Sequence, residues 1–345
     1  MKTLPTLISL SILVTPIALA HEGGKKGHSH PPKAHDFDTV VRTGQNAFTY
    51  ETVPGFGKIP GGKKLGPTHG GVAVDKNGLI YVSTQGEQCI AVFKPDGSFV
   101  KAMAPELKGT HGIQIVTEGD QQFLYCAHLK GKRVVKLDLD GKVVMTIPNE
   151  NTGEIPGGTK GLTAVAVAPD GSIFVSMGYG SNKIHKFDKT GKLIKSWGKR
   201  GKEEKDFNTP HGLGIDTRFG TPRLLVCDRA KRRLVHFDLD GNWIGVHATD
   251  LRLPCAVSFH GDYVGVAELQ ARVAVLDKEG KVVSVIGDNP NKKHWANFKV
   301  PAADQKPGVF TAPHGLSFDK HGNLYVQDWN ATGRISKLKL VGESK

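Results

Sequence analysis

Cysteine is scarce in this chain, and long hydrophobic runs are absent beyond its first twenty residues. Four cysteines among 345 residues are too few for the disulfide scaffold of a small secreted domain, and no Cys-x-x-Cys-His heme-attachment motif occurs. No segment after residue 20 is long and apolar enough to cross ~30 Å of hydrocarbon. Hydrophobic residues still make up 38% of the chain, which excludes disorder throughout, and the 43 glycines indicate many tight turns.

Residues 1–20 have the layout of a secretory signal peptide, with one charge at Lys2, an apolar run, and small residues at Ala18 and Ala20. An N-terminal membrane anchor is the alternative, but about a dozen apolar residues interrupted by Ser, Thr and Pro are too few for a span. We therefore expect cleavage after Ala20 and a secreted or periplasmic mature protein.

Residues 21–37 form a His-rich leader, in which four histidines lie among glycine, lysine and proline. Such a segment cannot bury a core, and we expect it to be disordered. It is either a solvated flexible leader or, through the free amine and the imidazole of His21, a chelator of copper or zinc.

The formal net charge of +13 is spread along Lys-Gly and Gly-Lys turns. An exported protein seldom meets nucleic acid, so nucleic acid is not an expected partner. A solvated basic surface, or attraction to acidic polymers or membrane surfaces, explains this charge better.

A repeated pattern runs through the rest of the chain. Each of six segments holds four short runs of Val, Ile, Leu and aromatic residues, and Asn-Gly, Asp-Gly or Glu-Gly pairs separate many of these runs. Alternating apolar residues indicate half-buried strands, and such pairs supply the positive φ that hairpin turns need. Four antiparallel strands repeated every ~40–50 residues are typical of propeller blades. The six segments open at equivalent residues, here called the ring residues: His69, His111, Thr163, His211, Cys255 and His314.

The sixth repeat is incomplete. The chain ends soon after its third strand, residues 334–340, whereas the strand-like run at residues 47–53 has no blade. The sequence therefore predicts an all-β fold over residues 38–345: a six-bladed β-propeller of four-stranded blades whose ring is closed by that N-terminal strand. Two stacked β domains are the alternative.

Several ring residues are candidate metal ligands. The first strand of each propeller blade lines the axis, so equivalent residues converge there. His111, His211 and His314 belong to blades two, four and six, and three converging imidazoles leave a fourth coordination position open, as in catalytic zinc sites. His69 and Cys255 are candidate additional ligands. Alternatively, the Thr/Pro-His-Gly pattern is only a turn in which the histidine binds backbone.

Two further candidates follow second strands at the same end of the channel, Tyr179 in blade three and Arg229 in blade four. Beside a metal ion, a tyrosine offers a base and an arginine offers an anchor for an anion. Tyrosine and arginine at strand ends are also common without such roles.

The blades resemble NHL repeats, and the chain from about residue 65 onward is similar to peptidyl-α-hydroxyglycine α-amidating lyase. That family's metal histidines lie in Pro-His-Gly/Ser-Leu/Ile motifs, its tyrosine in a Val-Ser-Asp-Gly-Tyr segment and its arginine in a Val-Ala-Asp-Arg segment. In the same blade order, these motifs match residues 110–113, 175–184, 210–213, 226–234 and 313–316.

The resemblance implies that His111, His211 and His314 hold zinc or a similar divalent metal, with Tyr179 and Arg229 as catalytic residues. It implies an exported carbon–nitrogen lyase that converts a peptide ending in α-hydroxyglycine to a peptide amide and glyoxylate. The partner would be a small-molecule or peptide C-terminal substrate.

The chain also departs from the family. Gly315 stands where the family has Asp near a structural calcium, so calcium is not expected. Gly180 replaces a family cysteine, so the family's disulfides do not carry over and the pairing of the four cysteines stays open. The family has an arginine before its blade-two histidine, whereas no arginine occurs here between Arg42 and Arg133.

The missing arginine and the basic turns favour a different class of function. In this alternative the protein is a non-catalytic NHL propeller that binds a protein or polymer ligand on one face, since the propeller fold hosts many functions. A third class is a metal-binding or redox protein that uses the His-rich leader.

Overall fold

Tight turns separate the strands, and their aspartates and glycines explain why the chain reverses there. In blade one the Asp75 carboxylate accepts hydrogen bonds from the backbone N–H groups of Asn77 and Leu79 at 2.9 and 2.8 Å. Gly78, in the same turn, has φ +86°, a conformation that glycine adopts without steric cost. Aspartates accept the same backbone hydrogen bond in other turns of the chain, at Asp138, Asp188, Asp238, Asp277 and Asp319.

The computed structural model describes residues 39–342. Two strands precede the first blade, β1 (Arg42–Gln45) and β2 (Phe48–Thr52). Blade one contains β3 (Val72–Val74), β4 (Ile80–Ser83), β5 (Ile90–Phe93) and β6 (Phe99–Met103). Blade two contains β7 (Ile113–Glu118), β8 (Gln121–His128), β9 (Arg133–Asp138) and β10 (Val143–Ile147). Blade three contains β11 (Ala164–Val167), β12 (Ile173–Ser176), β13 (Ile184–Phe187) and β14 (Leu193–Trp197).

The second half of the chain continues the pattern. Blade four contains β15 (Pro210–Asp216), β16 (Arg223–Asp228), β17 (Arg233–Asp238) and β18 (Trp243–Ala248). Blade five contains β19 (Pro254–His260), β20 (Tyr263–Glu268), β21 (Arg272–Leu276) and β22 (Val282–Ile286). Blade six contains β23 (Pro313–Phe318), β24 (Leu324–Asp328) and β25 (Arg334–Leu340). Short 3-10 helices occupy Pro105–Leu107, Arg229–Lys231, Lys292–His294 and Ala302–Asp304.

The N-terminal strand closes the ring. β2 pairs antiparallel with β25, with Tyr50 opposite Leu340 and Thr52 opposite Leu338, so blade six receives its fourth strand from the other end of the chain. The predicted six-bladed, all-β fold is thus confirmed. β1 then pairs with β2 as a fifth strand, which no pattern in the sequence predicts.

Apolar side chains are buried between neighbouring blades rather than in one central core. One cluster joins blades five and six around Val275 and Tyr50, and another joins blades three and four around Phe174 and Leu224. Similar clusters lie at the other four blade boundaries. Many small cores explain the modest apolar content, and they leave the axis itself to the polar ring residues.

Two predicted segments, the signal peptide at residues 1–20 and the His-rich leader at residues 21–37, lie outside the described residues. Within residues 39–342, no helix is long and apolar enough to cross a membrane.

Candidate metal centre and catalytic site

The first strands of the six blades line a central channel of about 210 Å³. Five of the six ring residues border this channel, and none of the five is more than 3% exposed: His111, Thr163, His211, Cys255 and His314. The sixth ring residue, His69, is partly exposed. The channel therefore ends in a cluster of mostly buried imidazoles.

Glycine follows each ring histidine because the backbone of the next blade leaves no room for a side chain. A Cβ on Gly112 would lie 2.8 Å from the carbonyl oxygen of Thr163, and one on Gly315 would lie 2.6 Å from that of Gly70. The same two carbonyl groups accept hydrogen bonds from the rings of His111 and His314. The His-Gly repeat therefore encodes a close contact between successive blades.

His111, His211 and His314 form a nearly regular triangle, with ring centroids 4.7 to 4.9 Å apart. In each ring Nδ1 faces a backbone carbonyl oxygen of the next blade, at 2.6, 2.7 and 3.2 Å respectively. A carbonyl oxygen only accepts, so Nδ1 carries the proton and donates it. Each Nε2 therefore keeps the lone pair with which imidazoles bind metals.

The ring residues offer two donor sets that fit a metal ion such as zinc, and each contains His314. Among residues 39–342, His314 Nε2 is buried without a hydrogen-bond partner, which costs ~1–3 kcal/mol if nothing binds the atom. Two overlapping groups in the described part of the chain place their donor atoms within 4.8 Å of one another: His69 with His111 and His314, and His211 with Cys255 and His314. Nitrogen and sulfur ligands are those that zinc prefers.

Electrostatics keep the three imidazoles neutral. Burial, followed by the positive charge of neighbouring groups, holds the pKa values of His111, His211 and His314 well below the usual value for histidine. Neutral imidazole is the form that a metal ligand requires, so little proton competition opposes binding at neutral pH.

Tyr179 places its hydroxyl among the imidazoles. The oxygen lies 2.8 Å from Nε2 of His211, 3.4 Å from Nε2 of His111 and 3.3 Å from Nε2 of His69. Because His211 Nε2 has no proton, the Tyr179 O–H donates to it. Arg229 Nη1 donates to the same tyrosine oxygen at 3.2 Å. The structure thus brings Tyr179 and Arg229 together with the ring histidines.

The environment of Tyr179 opposes its ionisation in the metal-free chain. The residue is 37% exposed, but its hydroxyl points inward, and burial raises its pKa to about 12 against the opposing effect of Arg229. A further positive charge beside the hydroxyl would favour the phenolate.

The loop that carries Tyr179 needs glycine. The Tyr179 N–H donates to the carbonyl oxygen of Gly161 at 3.0 Å, and a Cβ on Gly180 would collide with the carbonyl oxygen of Lys160. This backbone therefore leaves no room for any side chain at position 180. All four cysteines of the chain are free and buried.

His69 differs from the other ring histidines. Its Nδ1 lies 2.8 Å from Nε2 of Gln85, and an amide nitrogen donates, so the proton of His69 is on Nε2 and points to Tyr179. The ring of Trp329 lies 5.8 Å from that of His69. Gln85 and Trp329 were not predicted, although both follow second strands, as Tyr179 and Arg229 do. A comparison of the residues that follow the second strand in all six repeats could have identified Gln85 and Trp329.

Comparisons with known proteins agree with this architecture. No family model matches the chain. Human NHL repeat-containing protein 3 is 28% identical over 279 residues, which cover 75% of this chain and 76% of the human protein. A Caenorhabditis elegans protein named "Probable peptidyl-alpha-hydroxyglycine alpha-amidating lyase" is 26% identical over 239 residues, which cover 67% and 64% of the two chains. Mouse peptidyl-glycine alpha-amidating monooxygenase is 25% identical over 257 residues, 68% of this chain and 24% of the mouse protein.

Solved structures support the fold. A gluconolactonase from Xanthomonas campestris superimposes with a TM-score of 0.60 at 13% identity, covering 90% of this chain and 99% of that one. Virginiamycin B lyase from Staphylococcus aureus gives a TM-score of 0.52 at 13% identity, covering 88% and 100%. At these identities the likeness shows the fold alone. The chain is therefore a six-bladed β-propeller that is similar to an NHL repeat-containing protein and to peptidyl-α-hydroxyglycine α-amidating lyases.

Proposed function

We propose that this protein is an exported, metal-dependent carbon–nitrogen lyase that cleaves a peptide-like carbinolamide to an amide and glyoxylate. The observation that carries the proposal is the Tyr179 hydroxyl, 2.8 Å from His211 Nε2 and hydrogen-bonded to Arg229. A proton acceptor, a cation for an anionic substrate and metal-ligand nitrogens thus share one channel mouth. Similarity to the C. elegans lyase supports the reaction class.

The reaction moves two protons and breaks one bond. The substrate, R–CO–NH–CH(OH)–COO⁻, loses its hydroxyl proton, a carbonyl forms at that carbon, and the carbon–nitrogen bond breaks. The departing nitrogen takes up a proton, so the products are R–CO–NH₂ and glyoxylate. The site must therefore hold the carboxylate, accept the hydroxyl proton and return a proton to nitrogen.

His111, His211 and His314 would hold a zinc-like ion, which acts as a Lewis acid toward the substrate hydroxyl when bound. The Tyr179 oxygen accepts hydrogen bonds from Arg229 Nη1 and from the Nε2–H of His69. Two donors stabilise a phenolate, and the phenolate takes the hydroxyl proton.

Arg229 serves both the tyrosine and the substrate. Its Nη1 contacts the Tyr179 oxygen and, at 4.0 Å, the Cys255 sulfur. The other N–H groups of its guanidinium make no hydrogen bond within residues 39–342, and the side chain is half-buried. These groups can receive the substrate carboxylate, for which a guanidinium has matching geometry.

The test is glyoxylate release from α-hydroxyhippurate by zinc-reconstituted protein. Tyr179→Phe should keep its zinc and its fold but lose ~10²–10⁴-fold in rate, the usual contribution of a general base. Tyr263→Phe is the matched control, because Tyr263 packs against Phe48 between blades five and six. Zinc-loaded wild-type protein that releases no glyoxylate would refute the enzyme, and equal rates in the two variants would dismiss Tyr179 as the base.

The absence of arginine between Arg42 and Arg133 favours a second candidate, the non-catalytic propeller that binds a protein or polymer ligand on one face. This function predicts a zinc-loaded protein without glyoxylate release, so the same assay separates the two candidates.

A further inference from the structure

Cys255 stands at the ring position of blade five, beside two of the histidines. Its Sγ and the donor nitrogens of His211 and His314 lie within 4.8 Å of one another. Cys255 and His211 are 1% exposed, and His314 is 3% exposed. A buried thiol between two buried imidazoles is a nitrogen and sulfur donor set, which borderline and soft ions prefer.

Backbone contacts orient these side chains, and one donor atom already has a partner, since the Tyr179 O–H donates to His211 Nε2 at 2.8 Å. The Nδ1–H groups of His211 and His314 donate to backbone carbonyls, which orients both rings and leaves Nε2 as the ligand atom. His314 Nε2 has no hydrogen-bond partner within residues 39–342. The sulfur makes long contacts, 3.6 Å to the Leu253 carbonyl oxygen and 4.0 Å to Arg229 Nη1, and it accepts a backbone hydrogen bond from Leu269.

The other candidate triplet, His69 with His111 and His314, is less well prepared. His69 is partly exposed, and its contact with Gln85 puts the proton on Nε2. His69 must change tautomer before that nitrogen can bind an ion. The Cys255 triplet keeps its tautomers and needs the loss of the thiol proton and the release of the Tyr179 O–H from His211 Nε2.

We propose that Cys255 binds the metal ion as a thiolate, together with His211 and His314. The inference rests on the metal site of the proposed function and adds a sulfur ligand that the lyase motifs do not include. When the ion binds, the S–H bond breaks, a sulfur–metal bond forms and the proton passes to solvent, without any redox change. A thiolate ligand selects zinc or copper(I) and excludes magnesium and calcium.

Cobalt(II) is the probe, because a thiolate–cobalt bond gives an intense near-ultraviolet charge-transfer band that imidazole and oxygen ligands do not give. Titrating the reduced, metal-free full chain should produce this band, saturating at about one cobalt per protein. Cys255→Ser should lose the band and weaken cobalt binding by more than the ~10–100-fold typical of a change outside the ligand set. Cys227→Ser, which alters a buried thiol of β16, should keep both.

The outcomes separate this inference from the proposed function. Wild-type protein that binds cobalt without the charge-transfer band, or a band that persists in Cys255→Ser, overturns Cys255 as a ligand and leaves the histidine site intact. Protein that binds neither cobalt nor zinc overturns the metal site of both proposals. If Cys255→Ser does not fold, the wild-type band, its survival in Cys227→Ser and the count of protons released per cobalt still decide the question.

Discussion

Acidification should destabilise the metal-free protein steeply between pH 7 and pH 5, because its central imidazoles are neutral in the folded state. Burial holds the pKa values of His111, His211 and His314 well below the usual value, whereas the same side chains in the unfolded chain have pKa values of ~6.5. In this window the unfolded state binds more protons than the folded state. Stability must therefore fall as the pH falls through and below the unfolded value.

The magnitude follows from the difference in proton binding. An imidazole that stays neutral in the fold costs ~2 kcal/mol of unfolding free energy when the pH drops from 7 to 5. Three such groups cost ~6 kcal/mol, a large part of the ~5–15 kcal/mol that stabilises a typical domain. His69, His185 and His247, whose pKa values burial lowers to about 4, add to the same slope. Carboxylates add little, since they titrate near pH ~4 when unfolded.

Urea unfolding of chelator-treated protein at pH 7, 6 and 5, followed by tryptophan fluorescence, measures this loss. His211→Asn removes one of the neutral imidazoles. Between pH 7 and pH 5 this variant should therefore lose ~2 kcal/mol less unfolding free energy than wild type, whatever its stability at pH 7. His321→Asn changes an exposed side chain and should behave as wild type. An identical pH dependence in His211→Asn and wild type would refute the reasoning.

The ring, its closure and its glycines give three further predictions. His211→Ala should lose about one zinc per protein by elemental analysis, whereas His185→Ala, on β13 away from the ring, should keep it; equal zinc in both would contradict the site. Tyr50→Ala should lower the unfolding free energy by ~3–5 kcal/mol, because Tyr50 is fully buried in the closing strand. The control Ile244→Ala changes an exposed side chain and should cost ~0.5 kcal/mol. Similar losses in the two variants would mean that β2 does not close the ring. Gly212→Ala should lower both the melting temperature and the zinc content, because its Cβ would collide with a blade-five carbonyl, and unchanged zinc would show that blade spacing does not position His211.

The blades could be predicted because their signals are local. Apolar alternation and Gly-containing turns act within a single hairpin, and the expected third strand of blade six, residues 334–340, coincides with β25. β1 could not be predicted, because its sequence is polar and it is held by distant contacts. The Gln45 N–H donates to Ser284 Oγ at 2.9 Å, and the Gln45 side-chain oxygen accepts from the Val285 N–H at 2.7 Å, both in blade five.

The candidate site, too, could be predicted only in part from the sequence. Convergence of the ring histidines follows from the repeat, since equivalent residues of a propeller meet at the axis. The directions of side chains in the loops after the strands depend instead on the backbone conformation of individual loop residues. Thr209 has φ +65°, its N–H donates to Asn182 Oδ1 at 2.7 Å, and its carbonyl accepts from the Arg229 N–H at 3.1 Å. No pattern in the sequence reveals such a loop, so the contact between Arg229 and Tyr179 required the structure.

Ring closure and the proposed metal site depend on the same contacts. The Nδ1–H of His314 donates to the carbonyl of Gly70, so a blade-one backbone group orients the histidine of blade six. The Gly70 N–H in turn donates to the Gln327 side-chain oxygen at 2.7 Å, which joins the two blades that β2 brings together. Opening the ring would free the His314 ring and disperse the ligands of blades two, four and six. Conversely, an ion bound by those blades would connect them across the axis, and it would contribute ~4 kcal/mol of stability at a concentration a thousand times its Kd. That gain is comparable to the ~6 kcal/mol that the neutral imidazoles cost at pH 5, so the proposed metal binding would offset much of the loss of stability in acid.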